Sequence, residues 1–253
     1  VNTFWMVLPY VAFTVFGLGL VWRLRTDRAG WNARSSQLHE GTLLRWGSPL
    51  FHGGMLLTVL GHAGGLLVPA GVTRAFGVPD AAYHALAFGV GGLAGVAAVV
   101  GLGILGYRRF AVRTVGGSGA PGDAAVFVLL PATAVAGLGL TLFGGEHDYR
   151  ASVAPWLRSI LLLRPEGELM AGAPVGFQVH TLLALALIAS WPFTRLVHAF
   201  TAPVGYLVRP YIVYRSRGPA PPLGRPVAAR VTSRHTTGHH ALSQSRSKGS
   251  GHA

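Results

Sequence analysis

The chain has 253 residues, 51% of them hydrophobic and only 11% charged, with a formal net charge of +13 and no cysteine. Soluble domains usually carry about 25% charged residues, so an ordinary water-facing surface is excluded. The lack of cysteine excludes disulfides and a cysteine-ligated iron–sulfur cluster. The basic residues fall between apolar blocks and in the C-terminal tail, not along one face, which argues against a nucleic-acid binder.

Crossing a hydrocarbon layer of about 30 Å takes roughly 20 helical residues, and five apolar blocks are long enough. The first, 4–24, has no basic residue before it and a cluster after it, the reverse of a signal peptide. It reads as a retained span with its N-terminus outside. The second (49–69), third (81–107), fourth (124–144) and fifth (177–200) follow. The segment 145–176 is long for a connection and predicts a short helix near 156–163. After about residue 216 the chain turns to Pro, Arg, Ser, Gly and His, with little to bury, and predicts a disordered tail.

The expected fold class is therefore all-α, an integral membrane bundle of five transmembrane helices. Residues 1–215 form the bundle and 216–253 a basic cytoplasmic tail. Orientation follows from loop charge. Seventeen of the 21 basic residues lie after spans one, three and five, including Arg23, Arg25, Arg45, Arg108, Arg109 and Arg195; only Arg74, Arg150, Arg158 and Arg164 lie on the other side. The N-terminus is expected outside and the C-terminus in the cytoplasm, in a cell membrane.

Eleven histidines occur. Four sit in the tail, and His39 and His147 fall in polar connections, where a solvated loop is the simpler reading. His52, His62, His84, His180 and His198 fall within or at the edge of the bilayer. An ionisable group there is costly and faces a partner or cofactor. A single such histidine is equally well a hydrogen-bonded core residue. Spans two and five, packed antiparallel, set His52 level with His198 and His62 level with His180. Each level then offers two imidazoles to opposite faces of one macrocycle, as bis-histidine haem ligation requires. Ten residues on span two rise about 15 Å and eighteen on span five about 27 Å, so tilt must absorb about 12 Å. Pro192 should also perturb span five locally. Gly53, Gly54, Gly61, Gly64 and Gly65 surround the span-two histidines and admit either a flat ring or a close helix. Zinc or a di-iron centre would want carboxylates, and the spans have almost none.

Several strings carry a resemblance: Ala33-Arg34-Ser35-Ser36-Gln37, Leu50-Phe51-His52, Gly61-His62, Phe177-Gln178-Val179-His180, Pro192-Phe193-Thr194-Arg195-Leu196-Val197-His198 and Ala202-Pro203-Val204-Gly205-Tyr206-Leu207. Over about residues 1–217 the chain resembles the gamma subunit of respiratory nitrate reductase. The resemblance implies two b-type haems, the inner on His52 and His198 and the outer on His62 and His180. It implies oxidation of a membrane quinol, ubiquinol or menaquinol, near the outer haem, with protons released outside. It further implies electron transfer through both haems to an iron–sulfur beta subunit and a molybdenum-containing alpha subunit on the cytoplasmic side, where nitrate is reduced.

One position departs from the family pattern. Better-known members carry lysine near the start of the third span, where this chain has Ala82-Tyr83-His84. His84 reads either as the quinol's proton acceptor beside His62, since imidazole titrates near neutrality, or as an interfacial anchor. Arg109 reads as a partner for an inner haem propionate, as the resemblance implies, or as an inside-positive anchor. Two rival functions stand beside this reading: the haem b subunit of another quinone-linked complex, serving heterodisulfide or sulfite reduction, and a haem-free histidine-bearing transporter. A visible spectrum separates the last.

Overall fold

The computed structural model describes residues 2–26, 41–111, 123–145 and 147–201. The Ala33–Gln37 string, His39, the 216 boundary and the tail lie outside the described residues. Val1–Ala202 form one compact unit; the second unit, Pro203–Ala253, is likewise outside them.

Among the described residues there is helix and no strand. Helix α1 covers Asn2–Thr26 and α2 covers Thr42–His62, prolonged by a π turn, Ala63–Leu67. A short α3 (Ala70–Ala75) leads into the long α4 (Asp80–Ala111), and α5 covers Asp123–Phe143. The connection after α5 folds into α6 (Val153–Leu161) and α7 (Gly167–Ala171), and α8 covers Val175–Ser190. Five helices are long and apolar enough to cross a membrane: Asn2–Thr26, Thr42–Leu67, Asp80–Ala111, Ala125–Phe143 and Val175–Phe193. Leu93 is 74% exposed and Val128 67%. Large apolar side chains so exposed on long helices have lipid, not water, as their natural surroundings.

Backbone packing runs from α2 to α4, from α4 to α5, from α5 to α8 and from α8 to α1; α2 and α8 are not among the closely packed pairs. The α2–α4 contact is the tightest because both helices dispense with side chains there. A Cβ on Gly54 would fall 2.5 Å from the Ala98 nitrogen and 2.6 Å from the Ala94 oxygen, and one on Gly101 would collide with the Phe51 backbone. Gly54 thus serves helix packing. Gly53, Gly61 and Gly64 on the same helix meet nothing within 4 Å. The glycine set that the sequence left ambiguous divides by face.

The fifth span departs from the expected continuous helix over 177–200. Helix α8 ends at Ser190, a 3-10 turn covers Trp191–Phe193, Thr194 is extended (φ −121°, ψ 175°), and a second 3-10 segment covers Arg195–Thr201. Pro192 is the physical reason: it has no N–H to donate and its ring clashes with the preceding turn. The carbonyls released by the break find donors. Arg23 Nη1 of α1 donates to the Pro192 oxygen at 2.8 Å and the Thr194 oxygen at 3.2 Å. Trp191 Nε1 donates to the Leu196 oxygen at 2.7 Å. One turn before Arg23, Gly19 lets α1 close on Pro192, 2.8 Å from where a Cβ would stand.

The α6–α7 segment seals the opposite end. Its helix α6 begins three residues earlier than expected and buries Trp156 and Ile160 against α1. Trp156 Nε1 donates to the Trp5 oxygen at 3.0 Å, and the Tyr10 hydroxyl donates to the Ile160 oxygen at 2.9 Å. His147, expected in a solvated loop, is half-buried: Nε2 is 2.8 Å from Ser152 Oγ and its ring lies 5.0 Å from that of Phe177.

Candidate cofactor site between the second and fifth spans

Four of the histidines meet in two pairs. The His52 and His198 ring centroids are 6.2 Å apart, and so are those of His62 and His180. His198 lies beyond the break in span five, in the second 3-10 segment, so its height and azimuth are not those that eighteen residues of regular α-helix would set. The two levels lie at opposite ends of the bundle, one near the arginine-rich ends of α1 and α4, the other near α6.

Three imidazoles are locked by their own helices. His52 Nδ1 donates to the Ser48 oxygen at 2.8 Å, His62 Nδ1 to the Thr58 oxygen at 2.8 Å, and His198 Nδ1 to the Arg195 oxygen at 2.6 Å. A carbonyl only accepts, so Nδ1 carries the proton in each and Nε2 is left with its lone pair outward. This is how metal-ligating histidines are usually oriented. His180 Nδ1 is buried without a hydrogen-bond partner; the Thr133 backbone lies nearby but outside bonding geometry. Its ring rests on Gly137 of α5, whose missing Cβ would be 2.8 Å from His180 Cε1.

The donor set fits a bis-histidine macrocycle. Two imidazoles binding one metal from opposite sides, with bonds near 2.0 Å, place their centroids about 6.3 Å apart. Among the described residues no group of three or more His, Cys, Asp or Glu is gathered for a metal ion. These four histidines come in twos, and a metal served by two protein donors needs its equatorial ligands from elsewhere. The open faces at Gly53, Gly61 and Gly64 and the loose α2–α8 approach suit a flat ring.

The remaining candidates are His84 and Arg109. His84 is exposed, its ring 6.3 Å from that of Tyr83. The α4 side chain that reaches the His62 level is Tyr83: its hydroxyl and that of Tyr149 lie 3.1 and 2.9 Å from where a Gly65 Cβ would be. Burial, with the Tyr83 hydroxyl alongside, pushes the Tyr149 hydroxyl well above the ordinary tyrosine range. Nothing in the spacing of residues 65, 83 and 149 marks these two tyrosines in the sequence. Arg109 lies over the Phe127 ring at 5.9 Å, while its neighbour Arg108 is the buried one.

Comparison with known proteins agrees with this architecture. The family model described as nitrate reductase gamma subunit matches residues 1–217. The chain is 48% identical to the nitrate reductase-like protein NarX of Mycobacterium tuberculosis, over 85% of this chain but only 34% of that protein, so it spans about a third of that relative's length. It is 41% identical to the nitrate reductase gamma chain of Bacillus subtilis, over 84% of this chain and 97% of the relative. It is 32% identical to the respiratory nitrate reductase 2 gamma chain of Escherichia coli, over 85% and 96%. With five spans and this match, the chain is a multi-pass integral membrane protein that belongs to the nitrate reductase gamma subunit family.

Proposed function

We propose that this chain is the membrane-anchoring di-haem cytochrome b subunit of a quinol:nitrate oxidoreductase. The observation that carries the reading is the pair of imidazole couples, each 6.2 Å between centroids, at the two ends of the bundle. His52 and His198 hold the inner b haem; His62 and His180 hold the outer. When bound, the two haems supply one-electron transfer between the two faces of the membrane.

The chain's own residues do the rest. The Ser48, Thr58 and Arg195 carbonyls fix the protonated nitrogen of their histidines, so Nε2 is committed to the metal. The apolar spans exclude water from both levels. A ubiquinol- or menaquinol-type donor beside His62 would give up two electrons and two protons, both protons leaving toward the outer face, one of them by way of the exposed His84. Arg109, at the arginine-rich end of α4, faces an inner haem propionate. The N-terminus is outside, the basic tail is cytoplasmic, and electrons leave to an iron–sulfur beta subunit and a molybdenum-containing alpha subunit there.

The test is a reduced-minus-oxidised spectrum of the purified chain and of four single histidine variants. Two b haems per chain are expected. His52→Ala and His198→Ala should remove the same signal, and His62→Ala and His180→Ala the other. A colourless chain, or partners that remove different signals, refutes the pairing.

A further inference from the structure

Arg74, Arg150, Arg158 and Arg164 supply the basic side chains on the α6 side. Arg164 is exposed, Arg158 Nη1 donates to the Leu66 oxygen at 2.8 Å, and Arg74 is 61% exposed with Asp80 at 4.0 Å. Arg150 is different. Its side chain is 3% exposed, yet Nε and Nη1 have no hydrogen-bond partner. Nη2 donates to Thr73 Oγ1 at 2.9 Å, the Asp80 carboxylate stands 3.8 Å from Nη1 and is half-exposed, and the guanidinium lies 3.9 Å above the Tyr83 ring. A buried guanidinium needs its donors filled by negative charge, and these neighbours fill them only in part. Tyr83 connects the group to the His62 level, because its hydroxyl meets Gly65, three residues after His62.

We propose that Arg150 seats a propionate carboxylate of the haem held by His62 and His180, with Tyr83 as the platform beneath the guanidinium. The inference rests on the bis-histidine reading above. The group has the right chemistry: haem b carries two carboxylates that cannot be left bare in hydrocarbon, and an arginine fork pairs with a carboxylate by charge-assisted hydrogen bonds. Of the four basic residues on this side, Arg150 alone combines burial with unfilled donors. The guanidinium keeps the carboxylate ionised across the physiological range and offsets its charge near the iron.

The test uses the purified full-length chain with both haems resolved by redox titration. Arg150→Gln should shift the ferric–ferrous balance of the His62-dependent haem about tenfold toward ferric, which is 59 mV for one electron. Its potential should also become pH-dependent between about pH 6 and 8, as the released carboxylate titrates. Arg150→Lys should restore most of the potential, and the other haem should not move. Reconstituting the parent chain with haem dimethyl ester serves if the variant folds poorly: the ester should reproduce the shift, and Arg150→Gln should add nothing to it. Equal potentials in parent and Arg150→Gln, or ester and variant shifts that add in full, overturn the proposal. A chain whose spectrum lacks the His62-dependent haem altogether overturns the bis-histidine reading instead, before any Arg150 comparison is made.

Discussion

Replacing Gly137 by alanine tests whether the His180 ring is held where ligation needs it. The new methyl would sit 2.8 Å from His180 Cε1 and 3.4 Å from both ring nitrogens. Ordinary carbon contacts lie near 3.5–4.0 Å, so the ring must retreat by about 0.7–1.2 Å. A ligand set tolerates only about 0.5 Å of misplacement. Overpacking of this kind costs about 1–3 kcal/mol, and 1.4 kcal/mol is tenfold in affinity. Haem retention at the His62–His180 level should therefore fall about 5- to 150-fold, with the His52–His198 level untouched. The assay is haem-to-protein ratio and difference spectrum of the purified chain under dilution. Gly139→Ala is the control: it lies about 200° around α5 from Gly137, and its Cβ would meet nothing within 4 Å. It should bind two haems as the parent does and gain slightly in helix stability. Two fully retained haems with parental potentials in Gly137→Ala would refute the reasoning.

Other perturbations probe the scaffold. Gly54→Ala drives a methyl into the α4 backbone at Ala98 and Ala94, which cannot rotate aside; thermal unfolding should show a loss of about 2 kcal/mol or more, against little change in Gly103→Ala, whose methyl would meet nothing within 4 Å. Arg23→Met strips the donors from the Pro192 and Thr194 carbonyls. Each unsatisfied acceptor costs about 1–3 kcal/mol, and the His52–His198 haem signal should broaden or fall first, because His198 lies just beyond the break. Burial holds the Tyr149 hydroxyl neutral to alkaline pH. Since its folded pKa is raised, its contribution is complete below about pH 10 and is lost above that, as the unfolded chain ionises first. Ultraviolet titration of the folded chain between about pH 9 and 12 should be the same in the parent and in Tyr149→Phe; a smaller absorbance change in the variant would show that Tyr149 ionises freely.

Much of this molecule follows from one-dimensional pattern. Uninterrupted apolar blocks dictate the spans because an unpaired backbone cannot persist in lipid, and each expected block overlaps a described span, the second starting seven residues earlier and the fifth ending at Phe193 instead of 200. The pairing of His52 with His198 and His62 with His180 was legible as well: antiparallel helices with two histidines each can match levels in one way only. Heights and directions were not legible. Ideal rise left the two ligand separations about 12 Å apart, but span five is not one regular helix between its two histidines: it breaks at Pro192, where Arg23 and Gly19 arrive from α1. Which glycine meets a helix and which an open face was decided by the position of α4 against α2. The grouping of Gly65, Tyr83, Tyr149 and Arg150 joins residues from three separate stretches of chain, and only packing of the α6 segment over the π turn brings them together. Local periodicity reports what each segment must bury; it carries no information on which distant side chain will arrive to complete it.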